Sequence, residues 1–320
     1  MSFLVTGGAG YIGSHVVHAF VGAGLSPVVI DDLSSGHAAF VPAGVPFVEG
    51  SILDTDLVRQ MITDYQITGV VHLAAFKYAG VSVARPLHTY EQNVIGTISL
   101  LTAMADGGVD QIIFSSSAAV YGTPHTDLVT EQTPSDPESP YGESKLIGEW
   151  LLADQAKATG LKHASLRYFN VVGSATPELY DSSPHNLFPA VLDALAEGRV
   201  PRLNGDDYDT PDGTCIRDYV HVGDLAVAHV AAAKALAEGR ELEAVYNLGS
   251  GEGASNREIM NAIATATGIE FQPEVMPRRA GDPARVVASG AKAARDLDWK
   301  MRHTLEEMVQ SAWQARQALR

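Results

Sequence analysis

Cysteine is almost missing from this 320-residue sequence, in which Cys215 stands alone. No disulfide can form within the chain, which is typical of proteins in a reducing compartment. The sequence also lacks a tight cluster of cysteine and histidine with zinc-ligand spacing, so we predict no metal site. No uncharged apolar run approaches the length that spans a bilayer, and the first predicted strand begins at once with Ser2 and no basic leader. We therefore expect a cytoplasmic protein with no membrane partner.

Positive charge is scarce as well, because 22 Lys and Arg stand against 38 Asp and Glu, a formal net charge of -16. Such a surface repels phosphate backbones at long range, which argues against nucleic acid or an anionic membrane as the main partner. A small phosphorylated ligand is still allowed, because a few arginines or backbone N–H groups suffice to hold it. The hydrophobic share of 46% is ordinary for a soluble enzyme.

Short apolar runs alternate with longer amphipathic stretches along the first half of the chain. Strands are predicted at 3–5, 27–30, 46–48, 69–73, 111–114 and 163–167, and helices at 12–21, after Asp54, at 87–104 and at 140–157. Continuously apolar strands that alternate with helices indicate a parallel sheet covered on both faces. We predict an α/β fold with a Rossmann-type doubly wound parallel sheet over 1–170. A smaller C-terminal α/β substrate domain is predicted over 171–320, from which 222–248 returns to the main sheet.

A glycine-rich turn follows the first predicted strand and opens the first helix. Gly8, Gly10 and Gly13 fit G-x-G-x-x-G, and Gly7, Gly10 and Gly13 fit the related G-x-x-G-x-x-G. Glycine is needed in such a turn because a side chain would keep the backbone away from a pyrophosphate, which the helix N-terminus then binds. The alternative is a glycine turn without a ligand, and the position between strand and helix favours a dinucleotide.

A carboxylate ends the second predicted strand at Asp31, 18 residues after Gly13. A carboxylate there accepts hydrogen bonds from ribose hydroxyls and repels a 2′-phosphate, which favours NAD over NADP. Asp31 could instead serve as a cap or turn residue, but the neighbouring Asp32 fits that part better.

A phenol and an ammonium, Tyr141 and Lys145, stand four residues apart and share one face of the predicted helix. Ser139 and Pro140 indicate an N-cap and a first helical residue, which puts Tyr141 near the positive end of the helix dipole. We expect Lys145, the dipole and an oxidised nicotinamide to lower the pKa of Tyr141, which can then act as a base. Taken alone, the pair could also be a solvated surface pair.

Three serines, Ser115, Ser116 and Ser117, follow the predicted strand that ends at Phe114. Ligands of open α/β sheets bind at the carboxyl ends of the strands, where a serine hydroxyl can hold a substrate hydroxyl beside the phenol. Serines in such a turn are often only structural. The order of glycine turn, serine run and Tyr/Lys helix is what favours a catalytic site.

Here the chain resembles the extended short-chain dehydrogenase/reductases and, over nearly its whole length, the UDP-glucose 4-epimerases among them. The matching stretches are 74–77 (AAFK), 114–122 (FSSSAAVYG), 139–145 (SPYGESK), 166–170 (LRYFN), 186–187 (NL), 213–222 (GTCIRDYVHV), 246–249 (YNLG) and 278–283 (RRAGDP). The resemblance implies inversion at C4 of a UDP-hexose through a transient 4-ketose. It also implies a tightly bound NAD that is regenerated in each cycle, and a homodimer formed through helices near 87–104 and 144–157.

The resemblance also implies a role for individual residues. Tyr141 would be the catalytic base, Ser117 would orient the sugar hydroxyl, and Lys145 would bind the nicotinamide ribose and tune Tyr141. The remaining cofactor contacts it implies are Gly7, Gly10, Tyr11, Ile12, Gly13, Asp31, Asp32, Ser51, Ile52, Leu73, Ala74, Ala75, Lys77, Asn93, Ser115 and Phe169. The substrate contacts it implies, besides Ser117 and Tyr141, are Asn170, Asn186, Leu187, Arg217, Arg279 and Asp282, with the two arginines on the diphosphate.

The sequence departs from the family pattern at a few positions. Ser51, Asp32 and Ala119 stand where relatives often have Asp, Asn and Thr. Val286 stands where some relatives carry a bulky tyrosine, so we expect room for an N-acetyl group on C2 of the hexose.

Three other functions fit parts of this pattern. A 4,6-dehydratase would need an Asp-Glu pair where this chain has Ala118 and Ala119. A uronate 4-epimerase remains open, because the sequence distinguishes sugars poorly. A non-catalytic NAD-sensing regulator fits less well, since such proteins usually lack the tyrosine or the lysine.

Overall fold

The computed structural model describes residues 1–183, 186–278 and 282–318. Seven parallel strands form the main sheet in the order β11-β6-β5-β4-β1-β2-β3. Their bounds are β1 Ser2–Thr6, β2 Ser26–Asp31, β3 Phe47–Glu49, β4 Gly69–His72, β5 Gln111–Ser117, β6 Lys162–Tyr168 and β11 Val245–Leu248. The predicted doubly wound parallel sheet is confirmed.

Helices cover both faces of this sheet, because its apolar strands present side chains alternately to each side. On β1, Phe3 and Val5 pack in one core with Phe20, whereas Leu4 packs in the opposite core with Leu100. The first core is covered by α1 Tyr11–Gly22 and α8 Val222–Ala237, and the second by α2 Thr55–Asp64, α5 Gly96–Asp106 and α6 Pro140–Thr159. Burial on both faces explains why these strands are continuously apolar.

Two predicted helix starts are confirmed in detail. The Asp54 carboxylate accepts a hydrogen bond from the backbone N–H of Leu57, 3.0 Å away, and caps α2. The Ser139 hydroxyl accepts one from the N–H of Gly142, 3.2 Å away, and Pro140 takes the first position of α6. Both caps satisfy N–H groups that a helix end leaves without a partner.

The helix predicted at 87–104 is present, but it contains a π-helical turn. α4 Pro86–Tyr90 continues into the π turn at Glu91–Ile95 and then into α5, and the short α3 Ala79–Ala84 precedes them. The Asn93 side chain in the π turn accepts a hydrogen bond from the N–H of Phe76 and donates to the Phe76 carbonyl, at 2.7 and 3.1 Å. This long-range pairing with the loop after β4 accompanies the wider turn, and hydrophobic periodicity carries no sign of it.

Short sheets and helices make up the rest of the described chain. The strands are β7 Asn170–Val172, β8 Arg202–Asn204, β9 Ile216–Arg217, β10 Tyr219–His221, β12 Ala254–Ser255, β13 Glu274–Met276 and β14 Arg285–Val286. The helices are α7 Leu187–Ala196, α9 Asn256–Thr267, α10 Ala291–Leu297 and α11 Leu305–Gln317. Phe188, Ile259 and Val309 meet in their shared core. The division of the chain at residue 170 stays a prediction.

No helix among the described residues is both long and apolar enough to cross a membrane. No group of three or more His, Cys, Asp or Glu among them could hold a metal ion.

Candidate active site

A cavity of about 1530 Å³ lies at the carboxyl ends of the main-sheet strands. One end is lined by the glycine turn after β1 and by Asp31 at the end of β2, the middle by Ser117 and Tyr141, and the other end by Arg217 and Asp282. Ligands of doubly wound sheets bind at this edge. All three parts of the sequence-predicted site therefore line one cavity.

The glycine turn is a backbone cradle. A β-carbon on Gly7, whose φ is 71°, would lie 2.7 Å from the backbone nitrogen of Ala74, and one on Gly13 would overlap the Gly7 carbonyl. The N-terminus of α1 carries no side-chain cap and no acidic residue in its first turn, within the described part of the chain. Free N–H groups at a helix end that faces a cavity suit a pyrophosphate.

The two aspartates after β2 differ in their contacts. Asp31 is buried and its two carboxylate oxygens accept hydrogen bonds from the N–H groups of Ala9 and Leu33, at 3.0 and 2.9 Å. Asp31 thus holds the glycine turn while it also lines the cavity. Asp32 accepts from the N–H and the hydroxyl of Ser34, which is the turn role expected for it.

The phenol of Tyr141 lies beside the hydroxyl of Ser117, which favours the phenolate form. The ammonium of Lys145 lies 5.9 Å from the centre of the Tyr141 ring, and all three side chains line the cavity. Lys145 donates a 2.8 Å hydrogen bond to the backbone carbonyl of Ser115. The sequence-predicted constellation therefore comes together in space, as a helix face turned towards the end of β5.

The protein groups that surround Tyr141 do not give it a lowered pKa, so this expectation is wrong. Burial raises the pKa of Tyr141, and the nearby Ser117 hydroxyl opposes this shift only in part. The phenol is enclosed more deeply than a position in the first turn of a helix indicated.

Lys145 is only 4% exposed. Burial lowers its pKa to about 8, and the charge of Glu149 acts in the opposite direction. The burial of Lys145 and the partial burial of Tyr141 rule out a solvated surface pair.

The substrate contacts implied by resemblance occupy the other end of the cavity. Asn170 begins β7 and donates from its amide to the Asp218 carbonyl at 2.9 Å, and Asn186 immediately precedes Leu187, the first residue of α7. Arg217 forms an ion pair with Asp282. The five predicted substrate contacts among them, Asn170, Asn186, Leu187, Arg217 and Asp282, line the cavity. Arg279 lies outside the described residues.

Most of the cofactor contacts implied by resemblance also line the cavity. They are Gly7, Gly10, Tyr11, Ile12, Gly13, Asp31, Asp32, Ser51, Ile52, Leu73, Ala74, Ala75, Lys77, Lys145 and Phe169. Two others do not line it. The Ser115 hydroxyl lies 2.9 Å from Nε2 of the buried His229, and the Asn93 amide lies against Phe76 and Ser144. Both are placed to orient residues that reach the cavity rather than to reach it themselves.

Further lining residues were missed by sequence reasoning. Near the glycine turn they are Phe76, Arg85 and His88, which pack on one another with ring and guanidinium centres 5.0 to 5.7 Å apart. At the opposite end lie Arg202 and Glu274, whose Nε and carboxylate oxygen are 3.3 Å apart. Phe76, Arg85 and His88 follow β4 at its carboxyl end, where ligands bind, and this position is the signal in the sequence that could have identified them.

A family model described as "NAD dependent epimerase/dehydratase family" matches residues 3–249. This is more than half of the chain, so the chain belongs to that family.

Three proteins that are similar to this chain over nearly its whole length are named UDP-glucose 4-epimerases. A UDP-glucose 4-epimerase of Lactobacillus helveticus is 43% identical over 318 residues, which covers 98% of this chain and 96% of the relative. The solved UDP-glucose 4-epimerase of Brucella ovis in complex with NAD has a TM-score of 0.94 and 43% identity, covering 98% of this chain and 97% of that one. The Stenotrophomonas maltophila enzyme with bound NAD and formylated UDP-arabinopyranose has a TM-score of 0.95 and 38% identity, covering 100% and 98%.

The position of the Ser117 hydroxyl beside Tyr141 gives a pH prediction. Because this hydroxyl favours the phenolate, Ser117→Ala will raise the pKa of Tyr141 further. The measurement is the tyrosinate absorbance against pH, taken as the difference between each protein and its Tyr141→Phe counterpart. An identical difference curve with and without the Ser117 hydroxyl would contradict the assignment.

Proposed function

We propose that this chain is an NAD-dependent isomerase that inverts C4 of a UDP-hexose and interconverts UDP-glucose and UDP-galactose. The observation that carries the proposal is one cavity that joins a phosphate-binding turn, a Ser117–Tyr141–Lys145 cluster and an arginine–aspartate pair. The three relatives described above are named UDP-glucose 4-epimerases, and two of them are solved with NAD. The uronate 4-epimerase and the NAD-sensing regulator have no comparable support.

The residues at the glycine end fit a dinucleotide. The turn at Gly13 has no room for a side chain and α1 starts without a cap, which leaves backbone N–H groups for the pyrophosphate. Asp31 lines the cavity where its carboxylate would accept hydrogen bonds from the ribose hydroxyls. Lys145 would hold the nicotinamide ribose, and Phe169 and Lys77 would lie along the cofactor. When bound, NAD supplies a reversible acceptor for the hydride of C4.

The protein moves the proton of the O4 hydroxyl. Tyr141 takes this proton as the 4-ketose forms and returns it when the opposite configuration is made, which is general acid–base catalysis by one group. Ser117 holds the hydroxyl in line with the phenol. The charged Lys145 favours the phenolate, against the effect of burial on Tyr141.

Inversion requires that the sugar turns while the nucleotide stays fixed. Arg217 would bind the diphosphate, Asp282 the nucleoside ribose, and Asn170, Asn186 and Leu187 the rest of the nucleotide-sugar. Arg217 already contacts Asp282, so a bound diphosphate would share this guanidinium with the carboxylate. Tight anchoring at one end leaves the hexose free to present either face.

Dehydration is not favoured by the residues that follow β5. Ala118 and Ala119 begin the 3-10 helix there and line the cavity, where a dehydratase would need side chains that carry protons.

The decisive variant is Tyr141→Phe. Loss of the acid–base group will lower kcat by about 10²–10⁴-fold while the fold is kept. The measurement is hexose analysis after incubation with UDP-galactose without added NAD, with Tyr65→Phe at the end of α2 as the matched control. Undiminished interconversion by the Tyr141 variant would reject the proposed mechanism.

The tolerance for an N-acetyl group depends on Val286. Val286 lines the cavity and packs against the small core that contains Phe169. We expect turnover of UDP-N-acetylglucosamine by the native chain, and Val286→Tyr will reduce it by about tenfold or more while UDP-glucose still reacts. Comparison of kcat/KM for the two substrates checks this. No reaction of the N-acetyl sugar with the native chain would refute it.

We further propose a homodimer, formed through α4, the π turn, α5 and α6. Exposed apolar side chains cluster on these packed helices: Leu87 is 82% exposed and Trp150 58%, with Ile95 and Ile98 beside them. Exposed apolar patches of this kind mark protein–protein contacts.

The cytoplasmic location stays a prediction from the sequence.

Sedimentation velocity tests the dimer. The native chain will sediment at about twice 33.9 kDa, and Leu87→Asp with Trp150→Asp will give monomers because charge disfavours a buried apolar contact. The control is Val227→Asp on α8, which exposes 47% of its side chain on another part of the surface. A native monomer, or a dimer that the double variant leaves intact, would count against this face.

A further inference from the structure

A buried ion pair lies directly behind the candidate active site. Arg167 on β6 and Glu149 on α6 are 5% and 6% exposed, and the guanidinium donates two hydrogen bonds to the carboxylate, at 2.8 and 2.5 Å. Ser116 donates a third from its hydroxyl, at 2.5 Å. Neither ion lines the cavity, and the proposed chemistry uses neither of them.

The carboxylate of this pair stands one helical turn after Lys145. Residues four apart lie on the same helix face, so the ammonium and the carboxylate are neighbours inside the protein. The Lys145 ammonium donates to the Ser115 carbonyl and lies 5.0 Å from the centre of the Phe114 ring. A buried ammonium with only neutral partners loses its proton readily.

Every other titratable group around Lys145 is neutral near pH 7 or positive. These groups are Tyr141 on the same helix, His72 on β4, Arg167 and Tyr168 on β6, and His229 on α8. Burial lowers the pKa of His72 to about 3 and that of His229 to about 4, and it raises the pKa of both tyrosines. Among the described groups around Lys145, Glu149 is therefore the one anion.

We propose that Glu149, locked in place by Arg167 and Ser116, is a positioning residue that keeps Lys145 charged beside the active site. The lock is built into the sheet, because Ser116 and Arg167 are direct partners in the β5–β6 register. The Tyr121 ring covers the outer side of the Arg167 guanidinium at 4.7 Å. Since three donors hold the carboxylate, it cannot turn away to solvent.

This assignment rests on the proposed function only for its catalytic consequence. A charged Lys145 stabilises the Tyr141 phenolate, so loss of the Glu149 charge would act on the base through the lysine. The protonation of Lys145 itself can be measured without any turnover.

The test is the titration of Lys145 in the cofactor-loaded protein, followed by NMR of lysine labelled at its ε-carbon and assigned with Lys145→Arg. Glu149→Gln keeps the shape and most hydrogen bonds but removes the charge, so the Lys145 midpoint will fall by about one pH unit. Glu149→Asp keeps the charge and will titrate close to the native protein. Glu143→Gln removes a carboxylate two residues before Lys145 on the same helix, where side chains do not face each other and Glu143 pairs with Tyr90, and it will leave the midpoint unchanged.

Leaving Arg167 without its partner can prevent folding. The second variant therefore combines Glu149→Gln with Arg167→Gln, which replaces the ion pair by two neutral amides. Its midpoint will also fall, but by less than in Glu149→Gln alone, because a nearby positive charge is lost together with the negative one. A native midpoint in either folded variant overturns the proposal and leaves the ion pair a purely structural role. The alkaline limb of kcat/KM for UDP-galactose will move with the midpoint; a shifted midpoint in a protein without epimerase activity would reject the proposed function alone.

Discussion

Parallel pairing of β5 with β6 is the constraint on which the candidate site depends. The register sets Ser115, Ser116 and Ser117 opposite Leu166, Arg167 and Tyr168. Each serine then does something different: one carbonyl holds Lys145, one hydroxyl holds Glu149, and one hydroxyl meets Tyr141. The helix that carries the other partners reaches these strands because Gly148 packs its bare α-carbon against Phe114. If the register between β5 and β6 slipped by one residue, each of the three serines would meet different partners, since neighbouring side chains point to opposite faces.

Much of this arrangement could be predicted from the sequence, because it follows from local rules. The apolar runs of the strands, the caps Asp54 and Ser139, and the glycine turn each have a physical reason that acts over a few residues. Their order along the chain then brings the turn, the serines and Tyr141 to one edge of the sheet. The sequence therefore predicts these cavity-lining residues, although it does not show their neighbours in space.

The properties that the sequence did not reveal depend on contacts between distant segments. The pKa of Tyr141 is set by how deeply the folded chain encloses it, and no spacing of residues reports that depth. The π turn at Glu91–Ile95 accompanies the pairing of Asn93 with Phe76. The inward turn of the Ser115 hydroxyl depends on His229, more than a hundred residues away. Alternation along β5 could have placed Ser115 and Ser117 on one face, but not what each would meet there.

The position of β11 has a consequence for biosynthesis. This strand comes from residues 245–248 and covers the edge of β6, so the main sheet is completed only after three quarters of the chain has been made. Until then β6, which carries the apolar Ala164 and Leu166, is an open edge of the sheet, and such an edge readily pairs with other chains. The nascent chain that ends before β11 is therefore the stage at which a chaperone would matter most. The late strand also ties completion of the main sheet to synthesis of the later part of the chain.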